Sequence, residues 1–93
     1  MADPTKEQYQ TFMTEIIKKQ IVILGPNISV LKARNVAALK VADDGTVTEV
    51  TGEPQQVLQQ LVDEYVALSG LIVKNILKSI MEKYPEIKVN VGN

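Results

Sequence analysis

The stretch PQQVLQQLVDEYVALSGLIVKNILKSIMEKY, Pro54–Tyr84, decides the fold of this chain. Its apolar residues Val57, Leu58, Leu61, Val62, Tyr65, Leu68, Ile72, Ile76, Leu77, Ile80, Met81 and Tyr84 recur at the three-and-four spacing of one helical stripe. Pro54 follows Gly52-Glu53 as a first-turn proline, and Pro85 ends the helix by pushing Tyr84 out of the helical region. Asp63 and Glu64 lie in the first half and Lys74, Lys78 and Lys83 in the second, an order that suits the helix dipole. A continuous helix of this span is about 46 Å long at about 1.5 Å per residue. A compact chain of 93 residues is only about 32 Å across.

Two arrangements resolve that mismatch. The helix breaks near Ser69-Gly70 and folds back, or its last two turns bury against another copy or another protein. The stripe does not fade toward its end, which favours the second. The expected interface is then Leu68, Ser69, Gly70, Ile72, Ile76, Leu77, Ile80, Met81 and Tyr84. Gly70 is unfavourable inside a helix, and a small-residue patch admitting a close neighbour is the simplest reason for it.

Working outward, residues 46–51 are rich in β-branched side chains, and Ala37, Leu39 and Val41 alternate with Ala38 and Lys40. Asp44-Gly45 between them reads as a two-residue type I′ turn. That turn sets Val41 opposite Thr48, Lys40 opposite Glu49 and Leu39 opposite Val50, with Leu39, Val41, Thr48 and Val50 on one face. Toward the N-terminus, Asp3 and Pro4 look like a helix start. Tyr9, Phe12, Met13, Ile16, Ile17, Ile21 and Leu24 form the stripe of that helix, which Gly25-Pro26 ends. Residues 27–36 read as a short helix, with an extended stretch as the alternative. After the long helix, Ile87, Val89 and Val91 alternate with Glu86, Lys88 and Asn90, the period of a strand that pairs within its own chain or with a neighbour.

The predicted fold is therefore α+β, one domain over residues 1–93. It comprises an N-terminal helix, a short helix or extended segment, a β-hairpin over about 37–51, a long helix over about 54–84 and a C-terminal strand over about 86–91. From Val36 to Ile80, a strand pair with an Asp-Gly turn running into a long helix resembles in outline parts of roadblock-type and PAS-type sensory and adaptor domains. Roadblock-type domains continue with further strands and a helix that this chain does not supply, and no motif of either family is matched residue by residue.

Composition narrows the chemistry. The chain has no His and no Cys, so histidine- and thiol-based catalysis and the usual zinc, haem and iron–sulfur ligand sets are excluded. No catalytic residue, metal site or cofactor is expected. Lys and Arg number 10 against 11 Asp and Glu, and the cations are spread along the chain, which argues against nucleic acid as a partner. No apolar run approaches the about 18 residues of a membrane span, and a cytoplasmic location is expected. Asp43-Asp44-Gly45-Thr46 lacks the further acids of a calcium loop and reads as a turn. The one hint of a ligand is a weak anion contact at the helix start after Gly25-Pro26, from Asn27, Lys32 and Arg34. The expected function is a non-enzymatic interaction or regulatory module, a scaffold, adaptor or sensor part acting as a homo-oligomer through its long helix and engaging another protein. The alternative is a small-molecule or lipid-binding protein with an apolar cavity between helices and sheet.

Overall fold

The computed structural model describes residues 4–90. Three helices and one hairpin follow in the order α1 (Lys6–Leu24), α2 (Pro26–Arg34), β1 (Leu39–Val41), β2 (Val47–Val50) and α3 (Pro54–Met81). The architecture is α+β, with the helices and a two-stranded antiparallel sheet packed around one core.

The first helix starts at Lys6 with Thr5 as its N-cap, two residues later than the Asp3-Pro4 reading placed it, and Asp3 lies outside the described residues. Thr5 Oγ1 accepts from the Gln8 backbone N–H at 3.1 Å and Gln8 Oε1 accepts from the Thr5 N–H at 2.8 Å. This reciprocal capping box satisfies two orphan donors where an aspartate cap satisfies one. Tyr9, Phe12, Met13, Ile16 and Ile17 of the predicted stripe are buried. Gly25, at φ +91°, ends α1 and directly precedes Pro26 at the start of α2. The segment after it is a helix, the preferred of the two readings.

The hairpin keeps the predicted pairs Leu39 with Val50 and Lys40 with Glu49, but Val41 faces Val47 instead of Thr48. A type I′ turn needs positive φ at both central residues, and among the described residues no non-glycine has it. The turn is instead a three-residue loop. Gly45 donates its N–H to Ala42 O at 2.9 Å, Ala42 donates to Thr46 O at 2.8 Å, and Gly45 sits at φ +94°. A bulge between Lys40 and Val41, with Thr48 the extra residue on β2, then restores the register. The extra residue has a packing reason. Val47 and Val50 are three apart, so a regular strand would turn one of them outward; the bulge buries both and leaves Thr48 and Glu49 exposed.

Gly45 also brings the hairpin tip against α1. A Cβ added there would lie 2.8 Å from Ile21 Cδ1 and 3.0 Å from Ile17 Cγ2, on top of the positive φ. Gly45→Ala is expected to cost about 1–2 kcal/mol of stability, read as a lower denaturant midpoint with an unchanged slope.

The long helix departs furthest from expectation. Ser69 has φ −163° and ψ 100°, an extended conformation inside the helical run. Ile72 donates its N–H to Ser69 Oγ at 3.4 Å, so this serine serves as the N-cap of a second helical segment. The two ends of α3 consequently reach the same part of α1. Tyr9 donates its hydroxyl to Gln55 Oε1 at 2.8 Å, while Lys83 Nζ and the Tyr84 hydroxyl donate to Glu15 at 2.6 and 3.0 Å. Tyr9 and Glu15 are about 9 Å apart along α1, whereas a straight helix would hold the ends of α3 about 42 Å apart. The chain therefore breaks and folds back. Val73, Ile76, Leu77 and Ile80 enter the same core as Val57, Leu58, Leu61, Val62 and Tyr65.

The C-terminal strand over 86–91 is not formed: residues 86–90 make no ladder, and Val91 lies outside the described residues. Both edges of the sheet are already occupied by helix side chains. Thr14 Oγ1 accepts from Val47 N at 3.0 Å and Gln10 Nε2 donates to Val47 O at 3.1 Å, while Arg34 donates to Val41 O from Nη2 at 2.9 Å and Nε at 3.3 Å. A third strand has no free backbone to pair with at those positions.

Candidate functional site

Two surface regions stand out in the structure. The first surrounds the break in α3 and the turn between α1 and α2. Five large apolar side chains are left exposed in the described structure: Val22 at 85%, Ile23 at 51%, Leu31 at 58%, Leu68 at 37% and Leu71 at 71%. Val22 and Ile23 close α1, Leu31 lies on α2, and Leu68 and Leu71 flank Ser69. The Tyr65 hydroxyl donates to the carbonyl of Ser29 at 2.7 Å, tying α3 one turn before Leu68 to α2 two residues before Leu31. Burial of Tyr65 pushes its phenol well above the ordinary tyrosine value. Beside this bond, Ser29 Oγ is buried and has no hydrogen-bond partner among the described residues, as is Gln20 Nε2.

Of the nine predicted interface residues, Ile76, Leu77 and Ile80 lie in the chain's own core, and Ile72, Met81 and Tyr84 are partly buried against it. The expectation that the last two turns wait for another copy is corrected for these residues, because the break at Ser69 gives them an intramolecular partner. Ser69 and Gly70 are half-buried at the break and Leu68 is exposed. A Cβ added at Gly70 would meet only the Val66 side chain, at 3.8 Å, so no close neighbour explains this glycine. It occupies the first position after the new N-cap.

The second surface runs along the start of α3. Gln55 Nε2 donates to Lys88 O at 2.6 Å, Gln59 Nε2 donates to Asn90 O at 2.7 Å, and Asn90 N donates to Gln59 Oε1 at 3.0 Å. After a turn in which Ile87 donates its N–H to Tyr84 O at 3.0 Å, the tail is held against α3 by two glutamines one helical turn apart, with Ile87 buried and Val89 half-buried. Neither glutamine stood out in the sequence. The signal available was PQQVLQQL, which repeats Gln at i and i+4 on the helix face beside the apolar stripe.

The predicted anion contact does not assemble. Arg34 donates to Val41 O and to Asp43 Oδ1 at 2.9 Å, so its charge meets a carboxylate. Asn27 and Arg34 line an open cleft of about 330 Å³ that also contains Asp43, and Lys32 does not line it. Ser69 and Gly70 line neither this cleft nor those beside Glu7, Lys83 and Lys78.

Glu15, Lys83 and Tyr84 fasten the end of α3 to α1, and the Phe12 and Tyr84 rings lie 5.5 Å apart at 58°. Burial pushes the Glu15 carboxyl up, but hydrogen bonds from Lys83 and Tyr84 and the charges of Lys83 and Lys19 outweigh it, holding the group below its ordinary value of 4.5. A carboxyl lowered by folding stabilises above its unfolded value, and that contribution is lost as the pH falls through the folded value. Thermal melts are expected to lose stability below pH 4.5 more steeply in the wild type than in Glu15→Gln, which lacks this titration.

Among the described residues, no group of three acidic, His or Cys side chains could hold a metal ion, and no helix is long and apolar enough to cross a membrane. Comparison with protein-family models, with curated proteins and with solved structures finds no match to this chain.

Proposed function

We propose that this protein is a non-enzymatic interaction module, a scaffold, adaptor or sensor part, that associates with itself through the shoulder of the long helix. The observation that carries this reading is the exposure of Leu71 and Leu68 at the break in α3, together with Val22 and Ile23 at the end of α1 and Leu31 on α2. Large aliphatic side chains left exposed at the end of α1, on α2 and beside the break in α3 fit an association surface. The surface is smaller than the nine-residue stripe expected from helix length, because the fold-back places much of that stripe inside the chain.

Sedimentation equilibrium over a range of concentrations tests this reading. The wild type is expected to exceed 10.3 kDa as concentration rises. Leu71→Asp combined with Val22→Asp is expected to keep the wild-type helical spectrum and remain a monomer, since both side chains are solvent-facing. A wild type that stays at 10.3 kDa throughout overturns the self-association.

A further inference from the structure

We propose that the Gln55–Gln59 face of α3 is a docking groove for an extended segment of a partner polypeptide with aliphatic side chains at alternate positions, and that residues 86–90 are a displaceable strap occupying it. The groove reads main chain. Three hydrogen bonds reach the backbone of Lys88 and Asn90, and all of them come from the carboxamides of Gln55 and Gln59. The geometry suits any extended chain. Four residues of helix rise about 6.0 Å and two residues of extended chain about 6.6 Å, so an i, i+4 glutamine pair meets every second peptide group.

The receptor side is set independently of the strap. Gln55 Oε1 accepts from the Tyr9 hydroxyl at 2.8 Å, and Gln59 Nε2 also donates to Asp63 Oδ1 at 3.0 Å. These contacts orient both amides without help from residues 86–90. The same device holds a strand elsewhere in the molecule, where Gln10 and Thr14, again one turn apart on a helix, take both backbone groups of Val47.

The strap itself is lightly held. Only Ile87 is fully buried, Val89 is half-buried, and Glu86, Lys88 and Asn90 face solvent. An open cleft of about 420 Å³ borders it, lined by Lys78, Met81, Glu82, Pro85, Ile87 and Lys88. Main-chain bonds give such a groove its affinity and the alternate side chains its selectivity, so a foreign Ile-x-Val segment satisfies the contacts the strap now makes. A segment of the same molecule competes at millimolar effective concentration, which keeps the groove closed to weak ligands. This proposal uses a different face of α3 from the self-association above, and neither depends on the other.

The probe is a fluorescein-labelled peptide PEIKVNVGN, the sequence of residues 85–93, titrated against full-length chains by fluorescence anisotropy. Ile87→Asp releases the strap in its own chain and is expected to bind the peptide at least tenfold more tightly than the wild type does. Adding Gln55→Ala and Gln59→Ala to that variant is expected to abolish the gain, and a peptide carrying Asp in place of its Ile is expected not to bind. Should Ile87→Asp lose its helical spectrum, Val89→Asp at the half-buried position takes its place. In the intact wild type, excess unlabelled peptide is expected to shift the backbone amide resonances of Ile87 and Val89, which leave the groove as the peptide enters it. A folded strap variant that binds no better than the wild type overturns the proposal, as does binding that survives loss of both glutamines or strap amides that do not move.

Discussion

Leu77→Ala is expected to lower the free energy of unfolding by about 2–5 kcal/mol, and by the same amount at every protein concentration. Leu77 is 1% exposed and shares its core with Ile76, Ile80 and the first half of α3. Truncating it removes apolar contact and leaves a cavity that close-packed neighbours fill only in part. Concentration independence is the discriminating feature. Had the last turns of α3 been buried against a second copy, the loss would appear as weaker association, and the difference between wild type and variant would change with protein concentration. Urea unfolding of wild type and variant at two concentrations at least twentyfold apart checks both the size and the origin of the effect.

Tyr65→Phe is expected to cost about 1–3 kcal/mol, because it removes a buried hydrogen bond and withdraws the donor from the Ser29 carbonyl. The change keeps the ring, so the loss is not one of packing. It also alters the response to alkali. Burial raises the Tyr65 phenol in the folded state, so its contribution is present below the ordinary value of 10.0 and is lost as the pH climbs from there toward the folded value. Lys83, raised by its hydrogen bond to Glu15, and Tyr84, raised by burial and by the same carboxylate, act in the same direction. Stability measured between pH 9 and 11 is expected to fall more steeply in the wild type than in Tyr65→Phe.

The elements of the fold were legible where local chemistry and packing agree. Helix stripes, the proline starts of α2 and α3 and the Leu39–Val50 and Lys40–Glu49 pairs follow from periodicity and turn residues. The turn itself was misread because Asp44-Gly45 suits a tight loop equally well. What decides it is the burial of both Val47 and Val50, a demand of the tertiary core rather than of the turn.

The break in α3 was written in the sequence as Ser69-Gly70, a cap residue followed by a poor helix former, and the long stripe masked it. A stripe that continues in phase across a break looks the same in one dimension whether it faces a second molecule or its own first half. The tail shows the complementary ambiguity. Period-two alternation marks an extended chain but not its partner, and the residues that cap both sheet edges, Arg34, Gln10 and Thr14, lie on two helices whose approach no local pattern reveals. The glutamines that hold the tail were hidden for a simpler reason: an exposed helix face rich in Gln is compositionally ordinary until a backbone lies against it.

Because the chain has no cysteine, nitroxide pairs can be placed without removing native residues. Labels at the exposed positions Gln56 and Glu82 report directly on the fold-back, since they lie at opposite ends of α3. A continuous helix would separate the two Cα atoms by about 39 Å. With both ends docked on the first half of α1, pulsed electron–electron double resonance is expected to give a single distribution at about 20–30 Å, set by two side-chain reaches and the short rise between Tyr9 and Glu15. A distribution centred near the continuous-helix distance would contradict the break at Ser69 and the intramolecular core built on it.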